Sequence, residues 1–368
     1  MPSSLEEGNM IHFIDKHKRF VAKGYYGRQN KGYGWILSLK QNEKINTAFF
    51  ARKIQSAFSY RKAFFADKAT TAFRAFNGEG DGVGGLTIDY FDGFYVLTWY
   101  SEGIYSFKAM ILEALKSQVK YRGIYQKKRF DSKGQYLDDE ADFICGEKAP
   151  EPLIIQENKI NFAIYLDDGP MVGIFLDQRE VRKTLREKYA QNKNILNTFS
   201  YTGAFSVALA MGGSHKTTSV DLAKRSKNKT QEQFTINHLD LEKQEIIVED
   251  VFHYFKYAVK KGKLFDIVVL DPPSFARNKK QTFSVAKDYV KLLKEAIQIT
   301  QKGGVIIAST NYANLSLEKF KGFIDKAFTQ LEGKYKLEQH FALPKDFRVA
   351  DTFKEGNYLK VLFVRKLA

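Results

Sequence analysis

The sequence predicts an α/β protein: a doubly wound parallel sheet over residues 171–368, preceded by a small β domain over 1–68 and an α+β middle domain over 69–170. Three observations carry that prediction. From Asp177 onward, helical and strand-like stretches alternate, the pattern of parallel strands joined by crossover helices. The run Phe265-Asp266-Ile267-Val268-Val269-Leu270 is apolar and β-branched with no polar alternation, as a central strand covered on both faces should be. Residues 1–65 hold only short apolar stretches punctuated by glycines, which suits a small barrel or sandwich rather than helices.

Taken in order, Ile11–Ile14, Phe20–Ala22 and Trp35–Leu39 are the first apolar stretches, broken by Gly24, Gly27, Gly32 and Gly34. The turn-dense segment Arg74–Gly85 follows. Leu86–Tyr90 and Phe94–Tyr100 are then strands, and the Asp92-Gly93 pair between them is a hairpin signal. Ile111, Leu112, Leu115 and Val119 place one apolar face on a helix from Tyr105 to Val119. Ile124–Gln126, Ile154–Ile155 and Phe162–Leu166 complete the middle domain as strands. Beyond it, helices are expected at Asp177–Tyr189, Ala204–Met211, Ala223–Asn237, Val251–Lys260, Ser284–Thr300 and Ser316–Asp325. Between and after them come strands at Asn194–Phe199, Thr217–Val220, Glu245–Val248, Asp266–Leu270, Gly304–Ala308 and Leu359–Val364.

Composition bounds the function. Of 368 residues, 44% are hydrophobic and 14% aromatic, which excludes a disordered chain. No apolar run approaches the ~18–20 residues of a membrane span, so no membrane partner is expected. Met1 to Glu7 lack the basic start and apolar core of a signal peptide, and a cytoplasmic location is expected. The single cysteine, Cys145, excludes an intrachain disulfide and a Cys-rich zinc site. The net charge of +16 points to a polyanionic partner. Half of that excess sits in residues 1–65, where 12 Lys and Arg face 4 Asp and Glu. Phe20, Tyr25, Tyr26, Tyr33, Trp35, Phe49, Phe50, Phe58 and Tyr60 are interleaved with those charges. Cations beside exposed rings suit RNA, but such rings more often form the core of a small β domain. The core role is expected of the aromatics and a nucleic-acid role of the charge.

In open parallel sheets, ligands bind where the strands end. Four consecutive strands end here in residues that suit an adenosyl ligand. Phe199-Ser200-Tyr201-Thr202-Gly203-Ala204 is a turn of mostly small residues opening a helix, where backbone amides can approach a carboxylate or phosphate. Asp221, followed by Leu222, lies 18 residues beyond Gly203, near the ~20-residue interval at which an acid meets ribose hydroxyls. Asp250, followed by Val251, can accept from an exocyclic amine or cap the next helix. The fourth strand ends in Asp271-Pro272-Pro273-Ser274-Phe275, where two prolines stop the ladder and leave Asp271 at its carboxyl end. No G-x-G-x-x-G fingerprint is present, which disfavours a dinucleotide-dependent oxidoreductase.

Together with Phe175-Leu176-Asp177-Gln178-Arg179, Asn77–Leu86 and Glu355–Lys360, these residues resemble the class I S-adenosylmethionine-dependent rRNA methyltransferases of bacteria that carry an N-terminal PUA domain. The resemblance implies a Rossmann-like methyltransferase domain, a PUA-like β domain, S-adenosylmethionine as cofactor and ribosomal RNA as partner, with a homodimer left open. It assigns Ser200 to Ala204 to the methionine moiety, Asp221 to the ribose and Asp250 to the adenine amine. Asp271 then faces the methyl group and the target base, and Arg179 helps close the cofactor side.

The best-known branch of that family makes 5-methylcytosine in large-subunit rRNA. Cytosine C5 is a poor nucleophile, and the chemistry needs an enzyme thiolate at C6. The family's thiol follows the strand corresponding to Gly304–Ala308, where this chain reads Ser309-Thr310-Asn311-Tyr312. A hydroxyl does not replace a thiol of pKa ~8.5. A ring or exocyclic nitrogen, which carries its own lone pair, is therefore the expected acceptor. Asp271 and the carbonyl after it would orient the base, with Phe275 stacking on it. The basic Ala276-Arg277-Asn278-Lys279-Lys280 loop is expected to hold substrate phosphates. The missing cysteine also leaves open a silent RNA-binding protein that keeps the cofactor fold.

Overall fold

The computed structural model describes residues 5–29, 32–132, 135–136, 142–169, 171–277 and 282–368. Asn278, Lys279 and Lys280 of the phosphate loop, and residues 1–4 of the segment searched for a signal peptide, lie outside the described residues. The chain forms two compact units. One comprises Met1–Lys159, Ile164–Val172 and Lys345–Gly356; the other Ile160–Ala163, Gly173–Pro344 and Asn357–Ala368. Among the described residues, no helix is long and apolar enough to cross a membrane.

The first unit opens with an antiparallel sheet of Met10–Ile14, Phe20–Gln29 and Gly32–Ser38. Gly24 has a packing reason, because a Cβ there would fall 2.0 Å from the Trp35 carbonyl oxygen. Tyr25, Trp35, Phe49 and Phe50 are buried in one cluster, the core role expected of them, whereas Tyr33 and Tyr60 are half-exposed. The expectation that residues 1–65 avoid helix is corrected: Thr47–Tyr60 and Lys62–Ala66 are helical. Asn46 starts the first of these by accepting from the Phe49 amide. Phe49, Phe50, Ile54 and Ala57 then share its buried face. The glycine punctuation stops at Gly34, so it does not govern this stretch.

A second sheet follows in the order Phe143–Gly146, Gly123–Lys128, Phe94–Trp99, Leu86–Phe91, Ala72–Asn77. Asp92 and Gly93 both take positive φ, 47° and 92°, between paired Phe91 and Phe94. That is a two-residue turn whose twist matches the strands. The helix expected over 105–119 is instead two, Glu102–Tyr105 and Lys108–Gln118. Ser101 caps the first, accepting from Ile104, and the second begins only after Phe107. Within this unit the Arg61 guanidinium meets Asp81 at 2.8 Å, both side chains fully buried. Arg61 also donates to the carbonyls of Ala57 and Asp346, so the turn-dense segment is clamped to the returning 345–356 chain.

The second unit is a seven-stranded sheet in the order Gln244–Val248, Lys216–Asp221, Asn194–Thr198, Phe265–Leu270, Thr300–Thr310, Lys360–Lys366, Tyr335–Phe341. The first five strands are parallel, Lys360–Lys366 runs antiparallel to them, and Tyr335–Phe341 pairs antiparallel with Lys360–Lys366. Alternate residues of the central strand enter opposite layers. Val268 and Leu270 pack with Tyr254, Leu292 and Ile324 on one face, and Ile267 and Val269 with Leu185 and Leu209 on the other. The two-sided burial read from the sequence is thus observed. Tyr335–Phe341 is a strand the sequence reading omitted; it pairs only with Lys360–Lys366 and alternates polar with apolar residues, as a half-exposed edge does. The strand expected to end at Ala308 runs on through Thr310, where Ser309 and Thr310 pair with Val361 and Lys360.

Candidate active site

Strand order reverses between Asn194–Thr198 and Phe265–Leu270, because the chain builds outward from the first strand to one side and then returns to the other. At such a switch point the crossover helices leave on opposite faces and open a crevice at the carboxyl ends. The register fixes what borders it. Thr198 pairs with Val220 on one side and Leu270 on the other, and Leu270 pairs with Ala308. The next residues along, Phe199, Asp221, Asp271 and Ser309, therefore line one edge.

The turn after the first strand is strained. Phe199 and Tyr201 hold φ of 53° and 51°, and Gly203 holds 80°. Two left-handed non-glycine residues one apart cost of order 1–3 kcal/mol each and persist only where surrounding structure enforces them. Asp221 is part of that enforcement, since one carboxylate oxygen accepts from the Tyr201 amide and the other from Ala223, each at 2.8 Å. Thr202 donates to the Gly173 carbonyl, and Ser200 donates its amide to Val220. At Gly203 a Cβ would meet the Thr230 side chain at 2.5 Å. The small residues of this turn thus serve a close approach between loop and helix. Ala204 begins that helix, Ala204–Met211.

Burial raises the Asp221 carboxyl, and the two backbone amides pull it partly back. Leu222 is more than half exposed beside it. Asp250 caps the helix Val251–Lys260, accepting from Phe252 and His253, so its capping duty is observed. The Val251 side chain is packed in the core, which leaves only its backbone to face the edge. Arg179 is 2% exposed and so is not a surface arginine.

Asp271 is held differently. Burial pushes its carboxyl up to about 6; hydrogen bonding from Ser309 and Gln178 and the charge of Arg182 oppose that shift, and the charge of Asp177 adds to it. Gln178 donates its amide to Asp271 at 3.2 Å and to the Ser309 hydroxyl at 2.8 Å. A carboxylate only accepts, so the Gln178 atom facing it is the nitrogen. Its Oε1 is then the other end, buried and without a hydrogen-bond partner among the described residues. Tyr289 donates to the Ser309 carbonyl at 2.7 Å and fixes that strand end from behind. Tyr358 binds the Asp177 carboxylate at 2.8 Å.

Pro272 is buried and Pro273 exposed, and Ser274 donates to the Asn311 side chain at 2.5 Å. Phe275 is 63% exposed at the start of the hairpin Phe275–Arg277 with Thr282–Ser284. The sequence reading singled out Arg179 in the Asp-Gln-Arg motif but missed Gln178 and Tyr358. Their signal was motif membership alone, because the contacts join positions 93 to 181 residues apart.

The residues present fit an adenosyl sulfonium cofactor. Asp221 and Asp250 are carboxylate acceptors on neighbouring strand ends, suited to hydroxyls and an amine, and the backbone between them is shaped for close approach. A Rossmann-like sheet with this acceptor set defines a class I methyltransferase.

Comparison with known proteins agrees. Residues 74–330 match the family described as S-adenosylmethionine-dependent methyltransferase, and residues 1–39 match a PUA-like domain. YwbD of Bacillus subtilis is 54% identical over 364 residues, covering 98% of this chain and 92% of that protein. Ribosomal RNA large subunit methyltransferase I of Klebsiella pneumoniae is 31% identical, covering 98% and 90%. Among solved structures, SMU.776 complexed with SAH is 41% identical with a TM-score of 0.93, covering 100% of this chain and 93% of that one. The chain belongs to the S-adenosylmethionine-dependent methyltransferases that carry an N-terminal PUA-like domain, and S-adenosylmethionine is its cofactor.

Proposed function

We propose that this enzyme methylates a base of large-subunit ribosomal RNA by direct transfer to a ring or exocyclic nitrogen. Names borne by relatives across nearly the whole chain support the RNA substrate. One observation carries the chemistry: residues 173–344 contain no cysteine, while the edge beside Asp271 presents hydrogen-bond acceptors. Cys145 lies on the strand Phe143–Gly146 of the other unit, in contact with the Tyr121 hydroxyl.

The cofactor, when bound, supplies an activated methyl group on a sulfonium. The chain's own residues then have two tasks. Asp221 and Asp250 hold the ribose and the adenine amine, while Ser200 to Ala204 border the methionine end and Arg179 closes that side. Asp271 and the Pro272 carbonyl orient N–H groups of the acceptor base, Gln178 holds the Asp271 carboxylate from within the fold, and Phe275 stacks on the base. A nitrogen lone pair needs no covalent activation, so the rate arises mainly from positioning.

Labelled S-adenosylmethionine, incubated with protein-free rRNA from a strain lacking the enzyme, is expected to place its methyl on a nitrogen of one nucleoside. Recovery of 5-methylcytosine would overturn the nitrogen assignment. Gln178→Leu is expected to lower kcat while the Kd for SAH stays constant; equal loss in both would place Gln178 in cofactor binding instead.

A further inference from the structure

A second region of the methyltransferase unit remains outside this chemistry. Helices Val251–Lys260, Val285–Ile299 and Leu317–Thr329 enclose a surface groove of about 680 Å³. Six lysines line it: Lys256 and Lys260 from the first helix, Lys287, Lys291 and Lys294 from the second, and Lys326 from the third. None of the six is in an ion pair among the described residues. Glu295 is the sole acid on the wall; it feels the charges of Lys291 and Lys256, but one of its carboxylate oxygens is buried without a hydrogen-bond partner among the described residues, so one acid faces six lysines.

Like charges at i,i+4 destabilise a helix by a few tenths of a kcal/mol per pair. Lys256 and Lys260 form one such pair, and Lys287 and Lys291 another, with Lys294 continuing the same stripe. On the third of these helices Glu318 pairs with Lys321 at 3.0 Å, away from the groove, whereas the lysines that line the groove form no such pair among the described residues. From Lys287 to Gln298 the stripe runs ~16 Å at 1.5 Å per residue. An ammonium is a compact point charge on a flexible stem, suited to phosphate oxygens without regard to base identity.

We propose that this groove binds the phosphate backbone of the substrate rRNA, a contact separate from the base-holding edge around Asp271. The proposal rests on the rRNA reading above. RNA is favoured over an acidic protein because the reaction already brings a polyanion to this unit, and because the wall offers repeated ammoniums outside any ion pair among the described residues, Lys291 lying over the Phe252 ring, with one aromatic ring, Phe255, on the wall itself.

The test replaces Lys287, Lys291 and Lys294 together with Gln, and separately Lys256 and Lys260 with Gln, in the full-length protein. SAH affinity by calorimetry reports folding, with the double variant as a second chance should the triple fail to fold. Binding of protein-free large-subunit rRNA is measured across a salt series, alongside the KM for rRNA. For three phosphate contacts the slope of log K against log salt is expected to shrink by about 2 in the triple variant, and the KM to rise. Unchanged slope and KM, with wild-type enzyme still methylating rRNA, would overturn the groove while leaving the substrate reading intact. Absence of rRNA methylation by the wild type would overturn both. Loss of binding to polyglutamate with rRNA binding intact would assign the groove to an acidic protein and overturn the RNA proposal.

Discussion

Asp81 and Asp271 are buried carboxylates, one in each unit, and their surroundings treat them oppositely. Asp81 meets the Arg61 guanidinium at 2.8 Å and accepts the Asn77 amide at 2.7 Å, so its charge is compensated on the spot. Asp271 has no cation in contact among the described residues. It is served by a neutral amide, a hydroxyl and the more distant charge of Arg182, and burial leaves its carboxyl at about 6. The Asn77–Leu86 and Asp271–Phe275 segments look alike as sequence, each an acid in a turn-rich stretch. The first ties chain segments together; the second sits at a strand end with no cation in contact among the described residues. Compensation within the fold marks Asp81 as a structural acid, and incomplete compensation is what motivates the proposal that Asp271 serves a ligand.

Four variants can break or sharpen that contrast. The largest effect is expected from Asp81→Ala, which leaves Arg61 buried and unpaired and should cost about 3–5 kcal/mol in denaturant unfolding. A loss below ~1 kcal/mol would mean the clamp is dispensable. Asp271→Asn should do the reverse, lowering kcat by about 10²-fold or more, on the scale of removing one preorganised polar group, without loss of stability.

The pH dependence follows from the raised carboxyl. Between its unfolded value near 3.9 and its folded value near 6, the native state keeps a proton that the unfolded chain has released, so this group's contribution falls as pH rises through that window. Wild type should therefore lose up to about 3 kcal/mol relative to Asp271→Asn between pH 4 and 7. A pH-independent difference between the two proteins would refute the raised carboxyl. The ionised form is also the one that accepts hydrogen bonds, so kcat/KM should rise through pH ~6.

Asp221→Ala is expected to weaken SAH binding by roughly tenfold or more through lost charge-assisted hydrogen bonds, and to relax the strained turn that Asp221 supports. Unchanged affinity by calorimetry would remove Asp221 from the ribose. The smallest effect falls in the first unit. Lys16→Gln with Lys18→Gln, on the exposed hairpin between the first two strands, should flatten the salt dependence of rRNA binding by at most ~1.5 in slope. An identical slope would take that hairpin out of the RNA contact.

Much of the second unit was legible because its signals are local. A central strand covered on both faces must be apolar at every position along its length, and prolines must end it, so Phe265–Leu270 and Asp271 could be placed from the run itself. Asp221 was found by interval and Asp92-Gly93 by turn chemistry. The helix Thr47–Tyr60 was missed although its apolar spacing was present, because a rule drawn from the glycines before it was extended too far. Tyr335–Phe341 was missed because an edge strand with one partner carries only a weak alternation. Gln178 could not be given a role, since nothing local distinguishes it from any other glutamine at a helix start.

The sequence by itself determined the alternation of strands and helices, the acids at their ends, the excess of positive charge and the lack of a thiol at the expected place, because each depends on residue type and near-neighbour spacing. Only the tertiary structure decided which acids have a cation against them and which do not. It paired Arg61 with Asp81, set Gln178 between Asp271 and Ser309, and gathered six lysines from three helices into one groove. Those assignments depend on which distant segments the sheet and its crossovers bring within hydrogen-bonding distance, and burial then sets the charge each group can keep.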